Sequence, residues 1–110
     1  MNLVRLAIAG SLVVLQYACV AVNPPLSAPP ESNATAAQHN SDGIVHYEMG
    51  HWSIAKDHFA SAVEADPNLA EAHYNLGLAL DKLNLHSDAT THFTKAAELA
   101  PANSAIGESS

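Results

Sequence analysis

The chain has 110 residues, of which 48% are hydrophobic and 14% charged, and its formal net charge is −7. This length supports at most one small domain. The four basic residues, Arg5, Lys56, Lys82 and Lys95, are scattered. Nucleic-acid binding is therefore not expected, because surfaces that neutralise phosphates concentrate basic side chains. A single cysteine excludes an intrachain disulfide and a zinc site built from cysteines.

Residues 1–18 have the layout of a secretory signal peptide, with one positive charge followed by an apolar stretch and small residues. The apolar stretch is too short to predict a transmembrane helix. Cys19 directly follows Ala18 where this stretch ends, an arrangement that resembles the lipobox of bacterial lipoproteins. The resemblance implies lipid attachment at Cys19 and a membrane-anchored protein of the bacterial envelope, facing the periplasm. Two alternatives remain: cleavage after Ala21, which yields a soluble periplasmic or secreted protein, and an uncleaved membrane anchor.

Residues 19–35 are predicted to form a flexible tether between the anchor and a folded domain. Four prolines lie between Asn23 and Thr35, together with serines and asparagines. Such a composition neither buries apolar surface nor propagates a helix. Residues 104–110 are predicted to be a disordered tail.

The rest of the chain consists of two copies of a 34-residue repeat, at 36–69 and 70–103. Ten positions are identical between the copies. They are Ala36/Ala70, His39/His73, Gly43/Gly77, Ser53/Ser87, Ala55/Ala89, His58/His92, Phe59/Phe93, Ala62/Ala96, Glu64/Glu98 and Pro67/Pro101. Most are the glycine, alanine, phenylalanine and proline residues that determine helix packing and turns.

The spacing of these residues resembles that of tetratricopeptide repeats. The second copy reads His73-x2-Leu76-Gly77-x2-Leu80, then Ala89-x3-Phe93, Ala96 and Pro101. The first copy reads His39-x2-Asp42-Gly43-x2-His46, then Ala55-x3-Phe59, Ala62 and Pro67, with Asp42 where the family usually has leucine. The resemblance implies an all-α fold of two helix-turn-helix repeats, a fragment of an α-solenoid.

Helical periodicity divides the two copies into four amphipathic helices, at about 37–49, 53–65, 70–83 and 87–99. Gly50 and Asn84 are predicted to form the turn within each pair, because both residues tolerate a positive φ. Pro67 and Pro101 are predicted to end the second helix of each copy.

The family resemblance implies a non-enzymatic adaptor that binds a protein or peptide in the concave groove of the repeats. Carried onto this chain, the groove residues are Asn40, Ile44, Tyr47, Glu71, Tyr74, Asn75, Leu78 and Asp81. A clamp for a terminal carboxylate needs several basic residues, and only Lys82 is near, so a neutral or basic, partly apolar partner is expected. Because two repeats leave the last helix without a cap, self-association through Leu99 and Ala96 is also predicted.

Seven histidines raise the possibility of a metal or acid–base site. No two of them are three or four residues apart, so none forms the pair on adjacent turns that helical zinc sites use. We therefore predict packing or surface roles for the histidines, with no catalytic residue, metal or other cofactor. The alternatives are a metal- or pH-responsive envelope module that uses these histidines, and a truncated remnant of a longer repeat array.

Overall fold

The computed structural model describes residues 24–100. Cys19, the predicted signal peptide, Pro101 and the predicted tail lie outside the described residues. The described part contains four helices: α1 (Ala34–Glu48), α2 (Trp52–Ala65), α3 (Ala70–Lys82) and α4 (His86–Leu99). Helices neighbouring in sequence pack on each other, and α1 also contacts α3. The predicted all-α fold is thus confirmed, with helix ends within three residues of those expected.

Within residues 24–100, none of the helices is both long and apolar enough to cross a membrane.

The turns inside the two helix pairs have the same hydrogen bonding. Gly50 has φ 77° and Asn84 has φ 63°, which confirms the prediction for both residues. In the first turn, the Gly50 N–H donates to the Tyr47 carbonyl and the His51 N–H donates to the His46 carbonyl. Asn84 and Leu85 make the equivalent bonds in the second turn. This pattern is a Schellman motif, which satisfies the last carbonyl groups of α1 and α3 and reverses the chain.

Close contact between a glycine and a phenylalanine joins the helices of each pair. A Cβ atom built on Gly43 would lie 2.5 Å from Cε1 of Phe59, and one built on Gly77 would lie 2.6 Å from Cε1 of Phe93. No carbon atom fits at such distances. The repeated glycine therefore allows the ring on the second helix to lie directly against the backbone of the first.

We expect the substitution Gly43→Ala to lower the free energy of unfolding by about 1–2 kcal/mol. Alanine gains about 1 kcal/mol of helix propensity over glycine, but the Phe59 ring is fully buried and has no free space to occupy. The control is Ser41→Ala, at an exposed position of the same helix, which we expect to be neutral or slightly stabilising. Urea unfolding measured by far-UV circular dichroism compares the two, and a stabilising Gly43→Ala would contradict the packing described.

The core is continuous between the two repeats. Phe59 and Ala55 of α2 pack with Leu76 and Leu80 of α3, and Ala89 of α4 belongs to the same cluster. Among residues 24–100, all predicted packing residues are buried except Phe93, which is partly buried, and Pro67, which is exposed.

The sequence predicted that Ala96 lies on an uncovered flank of α4, but the structure places it in the core. It has no exposed surface, because it packs on Ala70, Tyr74 and Leu78 of α3. Leu99 is partly exposed. Self-association through the last helix stays a prediction, but Ala96 cannot mediate it directly.

Candidate peptide-binding groove

Two buried asparagines bind the backbone of a single residue, Leu26. Asn40 lies on α1 and Asn75 on α3, and neither side chain is exposed to solvent. The Leu26 N–H donates to Oδ1 of Asn75 over 2.7 Å, and Nδ2 of Asn75 donates to the Leu26 carbonyl over 2.8 Å. Nδ2 of Asn40 donates to the same carbonyl over 2.9 Å. The donor and the acceptor of one peptide residue are therefore both satisfied by side chains.

A hydrogen bond between the two asparagine side chains holds both amide groups in position. Nδ2 of Asn75 donates a second hydrogen bond, to Oδ1 of Asn40, over 2.8 Å. Both Nδ2 protons of Asn75 are thus used, one for the neighbouring asparagine and one for Leu26. This network orients the two amide groups toward the backbone of an extended segment.

Apolar contacts surround the asparagine pair. Leu26 packs against a cluster that contains Tyr74 and Leu78, with Tyr47 beside it. Ala28 packs against a second cluster, which contains Leu69 and Ala72. Residues 24–30 carry no charge. The surface that holds them is accordingly formed by amide groups, phenol rings and aliphatic side chains.

Burial raises the pKa of the Tyr47 hydroxyl, and Tyr74 and Asp81 contribute in the same direction. The Tyr47 phenol is therefore neutral at physiological pH. The asparagine amides are also neutral, so the side chains around Leu26 favour an uncharged segment.

Residues 24–30, expected to be part of a flexible tether, lie against α1 and α3 of the same chain and are held there through Asn40 and Asn75. A short turn connects this segment to α1: the Ser32 N–H donates to the Pro29 carbonyl over 3.1 Å. The Asn33 side chain then caps α1 by accepting from the Ala36 N–H over 3.0 Å. Because of this cap, α1 begins at Ala34 inside the region expected to be a tether.

Five of the eight predicted groove residues bond to Leu26 or pack in or against the cluster on which Leu26 lies: Asn40, Asn75, Tyr74, Leu78 and Tyr47. Ile44 instead packs on the core between the repeats. Glu71 is partly exposed, and Asp81 bonds to His86 at the end of α3. Sequence reasoning missed Leu26, and no local signal marks it, since its partners lie 14 and 49 residues away.

The only basic residue expected near the groove, Lys82, has another partner. Its Nζ atom lies 5.2 Å from the centre of the Trp52 ring, over the ring face. Trp52 in turn contacts Tyr47, with ring centres 4.9 Å apart. This cation–π contact joins the two repeats.

Histidine rings come together in both repeats, although no two histidines are three or four residues apart in the sequence. In the first repeat, His58 of α2 stacks on His46 of α1 at 5.4 Å and lies 5.9 Å from His39. In the second repeat, His73 and His92 stack at 5.4 Å. These contacts cross between helices, so the spacing of histidines along one helix could not reveal them.

Burial lowers the pKa of His92, and the neighbouring His73 lowers it further, while the Asp88 carboxylate opposes the shift in part. The lowered pKa means that the unfolded chain binds a proton at this residue more readily than the folded chain does. Stability from His92 is therefore fully present above the unfolded pKa of about 6.5 and is lost as the pH falls toward the folded pKa.

We expect the melting temperature to fall between pH 7.5 and pH 5.5, and His92→Gln to make this fall smaller. Glutamine removes the titrating group and keeps a polar side chain of similar reach. Thr94→Gln, at an exposed position on the same helix, is the control and should keep the wild-type pH dependence. Thermal melts followed by circular dichroism provide the measurement, and an unchanged slope in His92→Gln would contradict the assignment.

Comparison with known families agrees with the helix pairs described above. Residues 70–103 match the family model described as tetratricopeptide repeat. Together with the four helices, this match identifies the fold as an all-α helical repeat of the tetratricopeptide type and supports a tetratricopeptide repeat protein. No curated protein matches the chain significantly. Tetratricopeptide repeats are typically protein–protein interaction modules rather than enzymes.

Proposed function

We propose that this protein is an interaction adaptor whose concave groove binds an extended, uncharged peptide segment through Asn40 and Asn75. The observation that carries the proposal is that these two side chains hydrogen-bond both the N–H and the carbonyl of Leu26. Because the hydrogen bonds go to main-chain atoms, they do not require leucine in particular. The neighbouring apolar contacts favour an aliphatic side chain at this position.

Residues 24–30 act in this proposal as an internal ligand. They occupy the place that a partner peptide would take, so a partner must displace them. The best competitor is a segment of the same chemistry, with an aliphatic residue near prolines and without charge. This is one of the two kinds of partner, neutral or basic and partly apolar, expected from the scarcity of basic residues.

The test uses the chain from Asn33 onward, which keeps the cap of α1, and a synthetic peptide of residues 23–32. We expect the peptide to bind this shortened chain, and to bind the full chain at least about tenfold more weakly because the groove is already filled. A peptide N-methylated at Leu26 is the matched control. Its Leu26 nitrogen carries a methyl group in place of the hydrogen that is donated to Oδ1 of Asn75, and we expect at least roughly tenfold weaker binding.

Equal binding of the two peptides would show that the asparagine contact contributes nothing. A second measurement avoids the shortened chain: saturating peptide added to the full chain should increase hydrogen exchange at the Leu26 amide. Unchanged exchange at Leu26, with the peptide bound, would place its binding site elsewhere and contradict the proposal.

The proposal extends to location: the adaptor is exported and attached by lipid at Cys19 to a bacterial membrane. Support comes from the sequence of residues 1–19 alone, since these lie outside the described residues. Mass spectrometry of the membrane fraction is expected to find a mature chain that begins at lipid-modified Cys19. A mature chain that begins at Val22, or membrane attachment that survives Cys19→Ala, would contradict this part of the proposal.

A further inference from the structure

Three side chains of the types that bind transition metals converge between α1 and α2. His39 and Asp42 lie on α1 and His58 on α2, and one potential ligand atom from each lies within 4.8 Å of the other two. All three residues are partly buried. Ligand atoms around a tetrahedral zinc ion are roughly 3.3 Å apart, given bonds of about 2.0–2.1 Å. Small side-chain rotations are therefore sufficient to form a site.

The Nδ1 atom of His39 is a second, independent observation. It is buried and has no hydrogen-bond partner among the described residues. Buried polar atoms in folded proteins nearly always have a partner, because burial without one is costly. The His39 ring thus carries an unpartnered nitrogen and also places one of its ring nitrogens within 4.8 Å of Asp42 and His58, as expected of a metal ligand.

Neighbouring side chains hold the other two groups in place. Nε2 of Gln38 donates to Oδ1 of Asp42 over 3.0 Å, which leaves the second carboxylate oxygen available. The His46 ring stacks on His58 with an interplanar angle of 8°. Outer contacts that orient the ligands in this way are typical of metal sites in proteins.

The second repeat provides an internal comparison. His73 and His92 occupy the positions equivalent to His39 and His58, but Leu76 stands where the first repeat has Asp42. There the two imidazoles satisfy each other, with Nδ1 atoms 3.1 Å apart, and Nε2 of His73 lies 2.8 Å from the Pro67 carbonyl. In the second repeat, which lacks the carboxylate, the histidine pair satisfies its own hydrogen bonds. In the first repeat, which has Asp42, Nδ1 of His39 is left without a partner.

We propose that His39, Asp42 and His58 bind a divalent transition-metal ion of the zinc type. Two imidazoles and a carboxylate suit Zn²⁺, Ni²⁺ and Cu²⁺ and do not suit Mg²⁺ or Ca²⁺, which prefer oxygen ligands. Three protein ligands leave a fourth position for water or for a donor from a partner. The ion would link α1 to α2 in the repeat that has Asp42 where the family usually has leucine.

The test is thermal unfolding of the full, chelator-treated chain with and without Zn²⁺ at pH 7.5. An ion that binds the folded chain raises its melting temperature, and we expect an increase of about 5–10 °C at saturating Zn²⁺. Asp42→Asn and His58→Gln each remove one ligand and should abolish most of this increase. His92→Gln removes the equivalent histidine of the second repeat and should keep it. Mg²⁺ at the same concentration should have no effect.

Nuclear magnetic resonance of the imidazole rings gives a second measurement in the unmodified chain. Zn²⁺ should shift the resonances of His39 and His58 and leave those of His73 and His92 unchanged. The proposal is overturned if Zn²⁺ leaves the melting temperature unchanged, if its effect survives both Asp42→Asn and His58→Gln, or if the second repeat responds instead.

Discussion

Replacing Phe59 with alanine is expected to unfold most of the helical module in water at 25 °C. The Phe59 ring is fully buried and lies against Gly43 of α1, and its cluster extends through Leu76 of α3 to Ala89 of α4. Its removal leaves a cavity that touches both repeats. Truncation of a buried phenylalanine costs about 3–5 kcal/mol, which is comparable to the whole stability expected of a module with so small a core.

The matched control is Phe93→Ala, the same change at the equivalent position of the second repeat. Phe93 lies against Gly77 in the same manner but is only partly buried. We therefore expect a smaller loss and a chain that still unfolds cooperatively. Urea titrations followed by circular dichroism compare the two. An equal loss for both variants, or a loss of less than about 1 kcal/mol for Phe59→Ala, would contradict a core centred between the repeats.

Replacing Asn75 with alanine is expected to release residues 24–30 from the groove while the four helices stay folded. The variant loses both hydrogen bonds between Asn75 and Leu26 and leaves Oδ1 of Asn40 without its donor. The two bonds to Leu26, at about 0.5–1.5 kcal/mol each, correspond to roughly 2 kcal/mol, since the bond to Asn40 does not involve the segment. We expect protection of the Leu26 amide from hydrogen exchange to fall about 30-fold or more.

Two comparisons separate release of the segment from general unfolding. Asn40→Ala removes one bond to Leu26 instead of two, so its effect on the Leu26 amide should be smaller. The amides of Ala62 and Ala96, inside α2 and α4, should keep their protection in both variants. Equal loss of protection at all three amides would mean that Asn75 stabilises the whole fold rather than the segment.

Most of the fold could be predicted because it depends on local spacing. Gly43 and Phe59 recur as Gly77 and Phe93, and a close helix contact requires that pair of residues at that distance. The positive φ of Gly50 follows from its place after the last helical turn. Groove residues such as Asn40 and Asn75 could be proposed because the resemblance to tetratricopeptide repeats implies that the first helix of each pair lines a groove.

The occupant of the groove could not be predicted in this way. The composition of residues 24–30 correctly excludes a helix, but it does not tell whether the segment is free or bound. Its binding depends on Asn75, which is 49 residues from Leu26. The approach of His58 to His39 likewise depends on the packing of α2 against α1. The available signal was Asp42, three residues after His39 on the same helix face, where the family usually has leucine.

If the groove binds a partner peptide as proposed, the short turn between Pro29 and α1 sets a minimum affinity that the partner must have. Because residues 24–30 cannot move far from the groove, their effective concentration there is high, on the order of millimolar. If the segment is bound about 99% of the time, any external peptide binds about a hundredfold more weakly than it would to an open groove. A weakly binding peptide then does not displace residues 24–30. Only a partner that binds tightly, or that presents many copies of its peptide, releases them from the groove.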